Sequence, residues 1–207
     1  MTSYHPHPDD KGRPFVIRTP SIPSPIAHWL QPGQSATVLP AGAMPPALNG
    51  IAFSPWHDVP AGDQAWAEVP GQARIEEPPF ILPPGKAAAA GVVIEEEDGR
   101  IWLVAPSNQF GGYQATFPKG RVEAGFSLQA SAIREAFEES GLQVAVTGFL
   151  ADSSRSQTFT RYYRARRVGG TPSAMGWETQ AVHLVPRAQL AAFAPHANDK
   201  PLIALLA

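Results

Sequence analysis

The 207-residue sequence contains no cysteine. That absence excludes a disulfide scaffold, a thiolate nucleophile and any Cys-ligated zinc or iron–sulfur site, and it fits a reducing compartment. Charge is also sparse: 16% of the residues are charged, and 16 basic against 18 acidic side chains leave a formal charge of −2. No whole-surface field of one sign is available to hold nucleic acid or an anionic membrane, so any polyanion has to be met locally. Long apolar runs are missing too. The longest uninterrupted one, Ala87 to Ile94, falls far below the roughly 20 residues of a membrane span. The start MTSYHPHPDDKGR has no hydrophobic secretion core. A soluble, cytoplasmic protein without a membrane partner is expected.

Proline is scarce in one part of the chain and crowded in the other. Of 23 prolines, 17 lie in residues 1–85 and 6 in the remaining 122, so the composition shifts near Gly85. Runs such as PSIPSP (20–25), EPPF (77–80) and LPPG (82–85) lack backbone donors, which forbids long helices and central strands there. The same stretch holds Trp29, Trp56, Trp66, Phe15, Phe53 and Phe80, more apolar surface than a solvated linker carries. Residues 13–84 are therefore expected to order against the following domain or a partner subunit, as a small module with some β structure. A loosely attached arm is the alternative. His5 and His7 are assigned to a frayed tail.

Beyond Gly85 the punctuation is that of a compact α/β domain, residues 86–207. AAAAGVVIEE (87–96) and RIWLVAP (100–106) read as strands joined across Glu97-Asp98-Gly99, where Asp-Gly suits a hairpin turn. A Gly- and Asn-containing loop, SNQFGG, precedes a short strand at Tyr113–Phe117, the turn PKGRVEAG and a helix. Further strands are expected at Gln143–Ala151, Thr158–Val168 and Gln180–Leu184, with short helices at Pro186–Phe193 and Asp199–Leu206. Glu95-Glu96-Glu97 reads as a solvated edge, and His183 and His196 as structural or surface residues.

The long helix carries the chemistry. Ser127 suits its N-cap and Gly141 its C′ position. At 100° per residue, with Leu128 at 0°, Glu138, Glu135 and Glu139 fall at about −80°, −20° and +20°, while Ile133 and Phe137 fall near 140° and 180°. Three carboxylates share one face, opposite an apolar ridge. Glu138 and Glu139 also sit in the last turn, where the helix dipole disfavours negative charge. If that face is sheltered, two carboxylates roughly 6 Å apart repel by about 3 kcal/mol at an effective dielectric near 20. A bound divalent cation reverses the sign. Oxygen-only ligands at this spacing suit Mg²⁺ or Mn²⁺. On the helix alone a solvated acidic face stays open as well, but Gly120 and Gly125 bracket a tight turn whose backbone can approach a metal or a phosphate.

The run from Gly120 to Leu142 resembles the Nudix box, G-x5-E-x7-R-E-U-x-E-E-x-G-U with U apolar. Gly120, Arg134, Glu135, Glu138, Glu139, Gly141 and Leu142 match seven fixed positions over 23 residues. The first Glu of the pattern falls on Phe126, with the spacing from Gly120 to Arg134 intact. The resemblance implies an α/β/α sandwich with a mixed sheet, and hydrolysis of a nucleoside diphosphate linked to another group with Mg²⁺ or Mn²⁺ as cofactor. Carried over by position, Glu138 and Glu139 are the principal metal ligands, and Glu135 is a ligand or the base for the attacking water. Arg134 orients the glutamates, and the Lys119 carbonyl adds an oxygen ligand. Phe126 cannot make the polar contacts of the Glu it replaces. Either Glu123 substitutes from the same loop, or Phe126 packs under it.

Candidates for substrate binding surround this core. Phe117-Pro118-Lys119-Gly120 resembles the approach to the box in relatives acting on dinucleoside polyphosphates and diphosphoinositol polyphosphates, and Lys119 can meet an extra phosphate as a point charge. In Thr158–Val168, Tyr162, Arg164 and Arg166 alternate onto one strand face, where cations and an aromatic can hold phosphates and stack a base. A charge-guarded sheet edge is the competing reading. Glu178 lies in the loop before the penultimate strand, where many relatives place another acidic ligand or base, and Trp177 beside it can cover a nucleobase. The expected function is divalent-metal-dependent cleavage of a phosphoanhydride in a small nucleotide, with dinucleoside polyphosphates preferred. Nucleic acid is not expected as a partner, a capped RNA end excepted, and a homodimer is left open. The rival expectation is a nucleotide-binding or regulatory module that Phe126 has deprived of turnover.

Overall fold

The computed structural model describes residues 3–206. Short elements come first: β1 (Ser3–Tyr4), β2 (Val16–Ile17), β3 (Ala36–Val38), β4 (Ala47–Leu48), β5 (Ile51–Ala52) and α1 (Asp63–Ala67). Longer ones follow: β6 (Ala87–Glu95), β7 (Ile101–Pro106), β8 (Lys119–Arg121), α2 (Leu128–Ser140), β9 (Leu142–Ser154), β10 (Thr158–Gly170), β11 (Thr179–Val185), α3 (Leu190–Phe193) and α4 (Lys200–Ala204). Seven strands form one sheet in the order β3-β11-β7-β6-β10-β9, with β8 also paired to β6. β6 and β10 run parallel, and the other pairings are antiparallel. The sheet is therefore mixed.

Alternation along the strands splits the core in two. Val92, Ile94, Trp102, Val104, Tyr163 and Ala165 pack with the apolar side of α2, whereas Val93, Leu103, Phe117 and Tyr162 pack with Leu190 of α3 and Leu202 of α4. The result is the expected α/β/α sandwich. Helix α2 is delimited as its sequence predicts. Ser127 Oγ accepts the Ala130 N–H at 2.9 Å, and Gly141 takes φ 69° while its N–H reaches Phe137 O at 2.7 Å. A side chain at Gly141 would also strike Thr171 O, so glycine is needed there for space and for torsion.

The proline-rich residues lie against this domain. Trp29 packs on Trp102 with ring centroids 5.8 Å apart, and Trp56 and Trp66 meet Phe137 of α2 at 5.2 and 6.0 Å. Buried arginines bind the two parts through carbonyls and carboxylates. Arg100 donates to His28 O, Trp29 O and Gln34 O, Arg161 to Glu77 and Asp152, and Arg167 to Leu48 O and Ile51 O.

Three local expectations are corrected. Glu96 is not part of a solvated edge. It is 4% exposed and accepts from Trp102 Nε1 at 2.8 Å and Arg167 Nε at 2.6 Å, because the turn between β4 and β5 covers it through Asn49. The strand expected over Tyr113–Phe117 reduces to a bridge between Thr116 and Val104. Regular pairing begins after Pro118, which has no N–H to give, and places Lys119–Arg121 on β6 where a turn was expected. His5 is not frayed. It is 4% exposed, with Nε2 3.2 Å from Thr179 O.

Candidate active site

The turn after β8 brings the start of α2 back against that strand, so the acidic face of the helix meets backbone. Glu135 lies on Gly120, and a Cβ at residue 120 would overlap its carboxylate. Gly120 has ordinary negative torsions; it is required for space. Glu139 is half-buried, and its Oε2 accepts the Lys119 N–H at 2.8 Å. Glu138 is more open, with 46% of its side chain exposed, and its Oε1 accepts from Arg134 Nε at 2.7 Å. Arg134 Nη1 also reaches Glu123 Oε2 at 3.1 Å.

The electrostatics are those of crowded acids. Burial, and then the charges of Glu139, Glu138 and Glu178, push Glu135 up to about 9. Burial pushes Glu139 up to about 7 against the opposing charge and N–H of Lys119. Partial burial, Asp10 and Glu138 raise Glu178. Burial lowers the Lys119 amine, with Glu139 the largest opposing influence. Carboxylates crowded in this way are relieved by a further positive charge placed among them.

Among the described residues the acids do not close into a ready-made metal cluster; Glu138 turns to Arg134 and Glu139 to the Lys119 amide. The donor set still fits a hard divalent cation, because Mg²⁺-type ions are held by one or two carboxylates and complete their shell with water and phosphate oxygens. Glu138, Glu139 and Glu178, with Glu135 beside them, are the side chains able to hold it.

The sequence matches the NUDIX domain family over residues 85–206. The chain belongs to that family. An RNA pyrophosphohydrolase of Caulobacter vibrioides is 35% identical over 92 residues, which cover 44% of this chain and 50% of that protein. The chain spans about half the length of the curated relatives it matches. Among solved structures, a NUDIX hydrolase from Nitrosomonas europaea superposes with a TM-score of 0.51 at 21% identity, covering 59% of this chain and 70% of the other. That likeness concerns the fold.

Within the NUDIX domain, the substrate-binding candidates are placed unequally. Lys119 Nζ stands 5.0 Å from the Tyr113 ring centroid, beside Glu139. Trp177 lies next to Glu178 and donates from Nε1 to Asp10 at 2.9 Å. Tyr162 is fully buried and its hydroxyl accepts from Arg155 at 2.6 Å, so it forms part of the core and does not face a ligand. Arg164 and Arg166 are level with Val93 and Glu95 of β6, whereas Lys119 is level with Gly91. At about 3.3 Å per residue this places Arg166 roughly 13 Å along the sheet from the box, and neither arginine joins the glutamates.

Arg155 was not marked by the sequence. It sits in the β9–β10 turn, 6% exposed, and donates to Tyr113 Oη, Tyr162 Oη and Asp199 Oδ1. Its charge reaches Lys119. A lone arginine in a polar turn carries no signal, since its partners come from three separate segments.

Proposed function

We propose that this NUDIX domain hydrolyses a phosphoanhydride bond in a nucleotide-type substrate with Mg²⁺ or Mn²⁺. The observation that carries the reading is the packing of the α2 carboxylates against the Gly120 backbone and the Lys119 amide, where burial and mutual repulsion raise two of them. A divalent cation there neutralises phosphate oxygens and makes a water nucleophilic near neutral pH. Glu139 and Glu138 would hold the cation with Glu178, and the Lys119 carbonyl would add an oxygen. Glu135, kept ionised by the neighbouring positive charge when the cation is bound, would take a proton from the attacking water. Arg134 holds Glu138 in place.

Lys119 supplies a positive charge for a phosphate beyond the cleaved bond. Because Phe117 is fully buried and Pro118 is rigid, the residues before it set its position. Dinucleoside polyphosphates are the preferred class because Phe117-Pro118-Lys119-Gly120 resembles the approach to the box in relatives that act on them. The relative named RNA pyrophosphohydrolase keeps an RNA 5′ end among the substrates to be tried.

Glu135→Gln and Glu138→Gln are expected to lower activity by orders of magnitude with melting temperature retained, since both lie off the apolar ridge. Phosphate release is measured over dinucleoside polyphosphates, nucleoside triphosphates, nucleotide sugars and capped RNA, with each metal. Undiminished turnover in both variants overturns the reading.

A further inference from the structure

Residues remote in sequence converge on the Trp177–Glu178 turn and the first two residues of β11. His5 Nε2 lies 3.2 Å from Thr179 O. Asp10 Oδ1 accepts from Trp177 Nε1 at 2.9 Å, and the Phe15 ring stands 5.0 Å from that of Trp177. Gln180 Nε2 donates to Thr19 O at 2.9 Å. From the other side Ser107 grips the same turn, its N–H donating to Glu178 O at 2.7 Å and its Oγ to Trp177 O at 2.8 Å. Asn108 then closes the circle by binding Val16 O and the Arg18 N–H.

Core burial does not account for this arrangement. Between residues 3 and 18 the one buried apolar side chain is Ile17, 7% exposed, while ordering each residue costs roughly 1–2 kcal/mol of backbone entropy. What the contacts do is fix a turn. The turn carries Glu178, and Gly176 just before it donates its N–H to Glu138 O at 2.8 Å, which ties the turn to the acidic end of α2.

We propose that residues 5–19 form a positioning strap, which holds the Trp177–Glu178 turn so that the Glu178 carboxylate reaches the cation bound by the helix glutamates. Asp10 is its key positioning residue, acting through Trp177 Nε1. The inference rests on the cation site proposed above and assigns a role to a segment outside the family match.

The test is calorimetric titration of the full chain with Mn²⁺, together with kcat and KM. Asp10 is exposed, so its variants are expected to fold. Loss of one hydrogen bond corresponds to about a three- to tenfold change. Asp10→Ala and Trp177→Phe are each expected to weaken Mn²⁺ binding by that factor and to lower kcat more than they raise KM. Asp10→Asn keeps the acceptor but removes a negative charge that acts on Glu178, so it is expected to bind Mn²⁺ more weakly than the parent and more tightly than Asp10→Ala. In a Glu178→Gln background Asp10→Ala is expected to add nothing.

The strap is overturned by an Asp10→Ala variant that binds Mn²⁺ normally, by an Asp10→Asn variant as weak as Asp10→Ala, or by an undiminished effect in the Glu178→Gln background. Glu138→Gln separates the two levels. If it weakens Mn²⁺ binding while the strap variants do not, only the strap falls; if it leaves binding intact, the cation site and the strap fall together.

Discussion

The Arg134 guanidinium lies over the Phe126 ring, Cζ to centroid 5.5 Å, and is held by Glu123 and Glu138 at its nitrogens. The Nudix pattern has a carboxylate where Phe126 stands. Here the ring faces the Arg134 guanidinium, and Glu123, three residues earlier, supplies a carboxylate to it. Loop and helix remain tied.

It follows that restoring the carboxylate changes little. A cation–π contact at a part-exposed site is worth about 0.5–1 kcal/mol, close to an exposed ion pair. Phe126→Glu is expected to shift kcat by less than about tenfold, which corresponds to roughly 1.4 kcal/mol. A gain of several hundredfold in steady-state rate would show that the ring had crippled the site.

Gly120→Ala is expected to act on turnover more than on folding. Its methyl group competes with the Glu135 carboxylate for one space, and a side-chain carboxylate can rotate away at little cost. We expect kcat to fall by about tenfold to a hundredfold, as for a misplaced catalytic group, with a melting temperature near the parent's. An active Gly120→Ala variant would remove Glu135 from its proposed role.

Acid is expected to loosen the attachment of β3. His183 is buried, its Nδ1 2.9 Å from Thr37 Oγ1 of that strand, and burial lowers its pKa from 6.5 to about 4. The unfolded chain binds the proton first, so stability is fully present above about pH 6.5 and falls as pH drops towards 4. The loss amounts to about 3 kcal/mol over that window. Urea unfolding from pH 7 to 4 measures it, and His183→Gln should flatten the slope.

Breaking the Arg167–Glu96 pair is expected to cost far more than any surface ion pair. Both side chains are almost wholly inaccessible, with N–O 2.6 Å, and removing one partner of a buried pair costs about 3–5 kcal/mol. Glu96→Ala should shift the urea midpoint accordingly, whereas Arg13→Ala, which breaks an exposed pair with Asp9, should leave it nearly unchanged.

The sequence by itself determined the elements whose signals are local. Ser127 and Gly141 bound α2 through caps made within a few residues, the 3.6-residue period separates Glu135, Glu138 and Glu139 from Ile133, and continuous apolar runs mark β6 and β7 as core strands. Only the tertiary structure decided which charges are buried and with whom. Glu96 looks solvated beside Glu95 and Glu97 until Arg167, 71 residues away, takes it up. Tyr162 shares a strand face with Arg164 and Arg166, yet the packing of α4 and the arrival of Arg155 bury it alone. His5 and Asp10 look like a polar tail until the turn before β11 lies beneath them. A cap or a period is set by neighbours along the chain, whereas desolvation depends on whatever segment folds over a side chain.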